Sequence, residues 1–132
     1  MTFKKSKSLN VFVPVSIGEL IDKITILEIK CQFMSGEKLF NVKKELSNLK
    51  TILKKEKISF DDELFVKLGA VNKKLWNIEW MIRNKELSEE FDKEFIKLSR
   101  SIYKENDIRA SLKKEINIKY NSNLIEEKSY IF

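Results

Sequence analysis

Ser16–Cys31, SIGELIDKITILEIKC, reads as a helix that is apolar nearly all the way round, and the rest of the chain is organised around it. Val13-Pro14-Val15 before it is extended, because proline fixes its own φ and disfavours helix in the preceding residue. Ser16 then stands where an N-cap belongs, and Glu19 three residues on completes a capping box. Wound at about 100° per residue, Ile17, Leu20, Ile21, Ile24, Leu27 and Cys31 share one broad face, with Ile26 and Ile29 behind it. A helix apolar on both sides is central to its fold. Glu28 falls among Ile17, Ile21 and Ile24, and a carboxylate there needs a partner or a route to solvent.

Three further helices follow. Ser35-Gly36 stops the first, with Gly36 suited to a left-handed conformation. Glu37–Lys57 carries Leu39, Val42, Leu46, Leu49 and Leu53 three and four apart, a coiled-coil-like seam. Ser59 or Asp61 caps the next helix, Asp62–Lys85, whose Leu64, Leu68, Val71, Leu75, Ile78 and Ile82 keep the same spacing. The short turn between these two predicts an antiparallel αα-hairpin. The third helix has a second apolar flank, Phe65, Trp76 and Trp80. Gly69 lies on it, although a mid-helix glycine costs about 1 kcal/mol against alanine. The fourth helix is expected from Leu87-Ser88 to Tyr120, burying Phe91, Phe95, Leu98, Ile102, Leu112 and Ile116. The tail from Leu124 to Phe132 is apolar at both ends and is expected to pack, pairing with Asn10–Val15 as a small two-stranded patch. The fold class is therefore all-α, an antiparallel bundle of four helices with a short extended N-terminal segment and a packed C-terminal tail. Residues 1–132 form a single helical domain, with 1–9 a flexible basic arm.

Composition narrows the chemistry. The 132 residues include no histidine and one cysteine, Cys31. The commonest general base and transition-metal ligand are thus missing, no internal disulfide can form, and neither a metal nor a cofactor is expected. No apolar run is long enough to span a bilayer, and the basic start lacks the pattern of a signal peptide, so a cytoplasmic, membrane-free protein is expected. With three glycines there is no Gly-rich phosphate loop. The net charge is +6, but the lysines alternate with acids along every helix. That pattern reads as a solvated surface, and nucleic-acid binding is the least favoured function.

Three apolar faces each carry polar misfits: Glu28 on the first helix; Asn72, Glu79 and Arg83 on the third; Asn106 and Arg109 on the fourth. Bundling those faces brings opposite charges together, with Glu28 and Arg109 the first pair expected and Glu79–Arg83 a four-apart helix pair. One reading is a buried network that fixes helix register. The other is a pocket for a small polar or anionic ligand, with Tyr103, Asp107, Lys128 and Tyr130 at its mouth.

VSIGELIDKITILEIK, LWNIEWMIR, SIYKENDIRASLKKEIN and LIEEKSY, in that order, resemble a small bacterial family of unknown function over nearly the whole chain. Members carry an acid after LWxIE, where this chain has Trp80. The resemblance implies no activity. It implies that Glu19, Asp22, Lys23, Glu28, Asn106, Asp107, Arg109 and Lys128 act as one set. The expected function is a non-catalytic binding or protein-interaction module, with homo-oligomerisation through the Trp76–Trp80 flank. The alternative is a small all-helical enzyme acting on an anionic metabolite or sugar.

Overall fold

The computed structural model describes residues 7–129. Four helices follow one another: α1 (Ile17–Phe33), α2 (Gly36–Lys55), α3 (Glu63–Leu87) and α4 (Lys93–Lys119). The chain is all-α, and no strand occurs among the described residues. α1 starts where the capping argument puts it. The Ser16 hydroxyl accepts from the Glu19 amide at 3.1 Å, while the Glu19 side chain turns away to α4 instead of closing the box. Gly36 takes the left-handed φ of +63° that lets the chain reverse into α2.

α1 is the hub, packing on α2, α3 and α4. The core around it joins Leu20, Ile21 and Ile24 of α1 to Leu53, Phe65, Leu68 and Ile116. Ile21, Ile24, Leu68 and Ile116 are wholly out of water, and burying such a side chain stabilises a fold by about 1.5–3 kcal/mol. At one end, the rings of Phe60, Phe65 and Tyr120 close the core with centroids 5.8 and 5.5 Å apart.

Several expectations need correction. The backbones of α2 and α3 do not approach each other. The α2 seam lies on α1, and the hairpin made across a short turn is α3–α4. Asp62, not Ser59 or Asp61, caps α3, accepting from the Leu64 amide at 2.8 Å. α4 begins at Lys93 behind an Asp92 cap, so Leu87 belongs to α3 and Phe91 is exposed in the turn. The two-stranded patch does not form among the described residues. Leu9, Val11 and Phe12 are almost fully exposed, and the tail is fastened to α4 by charge, not by a ladder.

α3 and α4 outrun α1. Phe33, the last residue of α1, stacks on Trp76 at 5.4 Å, whereas α3 continues to Leu87.

Candidate functional site

Gly18, Asp22 and Thr25 form a stripe of small and polar residues on α1, and all three are buried. Gly18 lets α4 come unusually close. A Cβ there would lie 2.6 Å from the Lys113 carbonyl oxygen and 3.0 Å from Asn117 Oδ1. The Gly18 amide donates to that same Oδ1 at 2.6 Å, and the Ile17 amide donates to Ser122 Oγ at 3.1 Å. The opening amides of α1 are thus taken by side chains, and its N-terminus has no donors to spare for a bound anion.

Close approach brings Arg109 and Lys113 of α4 over Asp22. Arg109 Nε donates to Asp22 Oδ1 at 2.9 Å and its Nη2 donates to Oδ2, a two-pronged grip. From α3, Asn72 Nδ2 donates to Asp22 Oδ1 and to Thr25 Oγ1, both at 2.8 Å. The Thr25 hydroxyl in turn donates to the Asp22 carbonyl oxygen at 2.8 Å. Lys113 Nζ stands 3.8 Å from Asp22 Oδ2. Burial pushes the Asp22 carboxyl up, but the hydrogen bonds from Arg109 and Asn72, with the charges of Arg109 and Lys113, outweigh it and hold the group below its ordinary value. The hydrogen bond to Asp22 outweighs desolvation at Arg109 and raises the guanidinium further. A carboxylate held ionised by so many donors is a poor proton acceptor, so the cluster suits positioning and binding better than acid–base chemistry.

Above this layer lies the tail. Lys113, with 11% of its side chain exposed, donates to Glu19 at 2.6 Å and meets Glu126 at 3.4 Å. Ser16 Oγ donates to Glu126 at 3.3 Å. Lys114 pairs with Glu127 at 3.0 Å, and Lys128 with Asp107 at 3.5 Å. Between tail and α4 remains a cavity of about 130 Å³, lined by Asn106, Arg109, Lys113 and Lys114 on one side and Glu126–Lys128 on the other.

The expected residues divide accordingly. Glu19, Asp22, Asn72, Asn106, Asp107, Arg109 and Lys128 come together around α1, α4 and the tail. Glu28 does not meet Arg109. It lies on the α2 side of α1, 3.7 Å from Lys50, and Arg109 takes Asp22 instead. Glu79 and Arg83 pair with each other at 3.5 Å on an exposed face, away from the network. Lys23 and Tyr103 are exposed, and Tyr130 lies outside the described residues. Reading the sequence missed Thr25, Lys113, Asn117 and Glu126. The signal was there in part, since Gly18, Asp22 and Thr25 recur every three or four residues as a stripe, and Arg109, Lys113 and Asn117 recur every four. Among the described residues, no group of histidine, cysteine and acidic side chains could hold a metal ion, and no helix is long and apolar enough to cross a membrane.

A family model described as "Family of unknown function (DUF6165)" matches residues 11–132. No curated protein and no solved structure matches the chain.

Proposed function

The chain belongs to that family of unknown function, and from its geometry we propose that it is a non-catalytic binding module whose cationic ridge, Arg109, Lys113 and Lys114, receives the anionic group of a small ligand. One observation carries the reading: the tail's own carboxylates, Glu126 and Glu127, sit on Lys113 and Lys114. An extended acidic segment is thus accommodated there already, and a free dianion competes for the same ammonium groups. Asp22 and Glu19 beneath keep the ridge in register. An enzyme acting on an anionic metabolite or sugar would use the same cations, but it would also need a proton acceptor less firmly held than Asp22.

The test is a thermal-shift panel of phosphosugars, nucleotides and dicarboxylates, because a ligand that binds only the native state raises Tm. At least one class should raise Tm in the wild type. It should do so more strongly in Glu126→Gln/Glu127→Gln, where the competing carboxylates are gone, and Lys113→Met should abolish the effect. A panel that moves neither the wild type nor the tail variant ends the proposal.

A second reading, self-association, has its own support. Where α3 and α4 run past α1, Trp80, Leu87 and Phe91 are more than half exposed, and a two-helix hairpin has no further layer to bury them against. Two copies laying these hairpins together would form a four-helix unit. Light scattering should then give twice the 15.6 kDa of one chain, falling to that value in Trp80→Ser. A monomeric wild type at concentrations well above micromolar rejects it.

A further inference from the structure

A groove of about 310 Å³ runs between α1 and α3, lined also by Phe60 of the α2–α3 turn, and it shares Thr25 with the Asp22 network. Its volume reaches the range of small-molecule sites. Ile29, Phe65 and Val66 give it an apolar lining, and Glu28 stands on its wall.

Two features are poorly explained by packing alone. The first is Gly69. A Cβ there would meet only the Thr25 side chain, at 3.7 and 3.9 Å, which is ordinary contact. Gly18 is required by the crossing of α1 and α4, but Gly69 is required by no crossing, and glycine in mid-helix is unfavourable. Gly69 lines the groove, and a side chain there would take up part of its space. The second is Glu28 Oε1. This oxygen is out of water and accepts no hydrogen bond among the described residues, although the side chain as a whole is 39% exposed, and Lys50, at 3.7 Å, forms an ion pair with it that is too long for a hydrogen bond. Lys50 is half exposed, so its pair with Glu28 is a solvent-screened one that an organic ammonium would have to replace. The other cation at the groove, Lys73, is engaged: its ammonium donates to Gln32 at 2.8 Å and lies 4.2 Å over the Phe33 ring. The charge left to address a ligand is that of Glu28, and Ile29, Phe60, Phe65 and Val66 offer apolar surface beside it, with Thr25 and Gln32 as further polar groups.

We infer that this groove binds a small organic ammonium compound with an apolar body, its N–H groups donating to Glu28 and its body lying along Phe65 and Val66 over Gly69. This site is separate from the cationic ridge and uses none of its residues.

Three probes of one shape decide it: 2-phenylethylammonium, 2-phenylethanol and 3-phenylpropionate, titrated against the whole chain while backbone amide NMR shifts are followed. The ammonium should bind saturably and move the amides of Thr25, Gln32, Val66 and Gly69. The alcohol should bind about tenfold or more weakly, as expected when a charge-assisted hydrogen bond is replaced by a neutral one, and the carboxylate should not bind. Gly69→Ala should raise the Tm of the free protein yet abolish ammonium binding. Glu28→Gln should weaken it by about tenfold or more. Equal binding of the three probes, undiminished affinity in Gly69→Ala, or no saturable shift with the ammonium would each overturn the inference.

Discussion

Asp22 is almost wholly buried and held by two cations and an amide, so its neighbours decide whether that charge is tolerable. Deleting one partner of a buried ion pair destabilises by about 3–5 kcal/mol, because the other charge is left uncompensated. Arg109→Met should fall near the lower end, about 3 kcal/mol, since Lys113 remains 3.8 Å away. Asp22→Asn added to it should restore a large part of the loss, and urea unfolding of the two variants measures both. A half-buried arginine on the last helix reaching an acid on the first was legible in the sequence, because Arg109 interrupts an apolar stripe. Which acid it meets was not. A helical wheel ranks Glu28 as the misfit, but α1 is enclosed on three sides, and Asp22 lies one turn from Gly18, on the face that α4 approaches closely.

Three of the four helices end in the same way. After α2, α3 and α4 the residues Lys57, Glu89 and Asn121 take φ of 57°, 54° and 52°. In each case the following amide reaches back to the third-last helical carbonyl: Ile58 to Leu53, Glu90 to Lys85 and Ser122 to Asn117. This is the Schellman turn, normally built with glycine. Here lysine and glutamate adopt it, and so the stop after α3 left no glycine to read. That is why α4 was expected from Leu87-Ser88 and not from Asp92. The strain also makes a prediction. A left-handed residue with a side chain is unfavourable by about 1–2 kcal/mol, and glycine gives back about 0.5–1 kcal/mol through its freer unfolded chain. Glu89→Gly should therefore stabilise the protein by about 0.5 kcal/mol, read as a small rise in Tm. A fall would mean that Glu89 makes a contact worth more than its backbone strain. Helix content and the apolar seams were readable from spacing alone. The partner of α2 was not, because its one-sided seam suits any apolar face and α1 offers one.

At the end of the molecule where the Phe60, Phe65 and Tyr120 rings close the core, a polar contact also joins distant parts of the chain. Asp62 caps α3 and at the same time accepts from Lys119 and from the Tyr120 hydroxyl at the end of α4. The hydrogen bonds from Lys119 and Tyr120, aided by the Leu64 amide, hold its carboxyl at about 2. Burial, with Asp62 as acceptor, pushes the Tyr120 phenol up to about 12. The signs are opposite. A carboxyl with a depressed folded pKa binds its proton more readily in the unfolded chain, so its stabilisation is full above the ordinary value of about 4. It is lost as pH falls through about 2. A phenol with a raised folded pKa stabilises fully below its ordinary value of about 10, and that stabilisation is lost as pH rises through about 12. Asp22, likewise held below its ordinary value, adds to the acid limb. In unfolding measured across pH, Asp62→Asn should therefore be less stable than the wild type by a constant amount between pH about 5 and 9, bracketed by these ordinary values. The difference should shrink towards both extremes, as the wild type loses what the variant never had. A gap that stays constant down to the lowest pH at which the wild type folds would show that the folded chain does not favour the ionised form of Asp62, and would rule out the electrostatic tie to Lys119 and Tyr120.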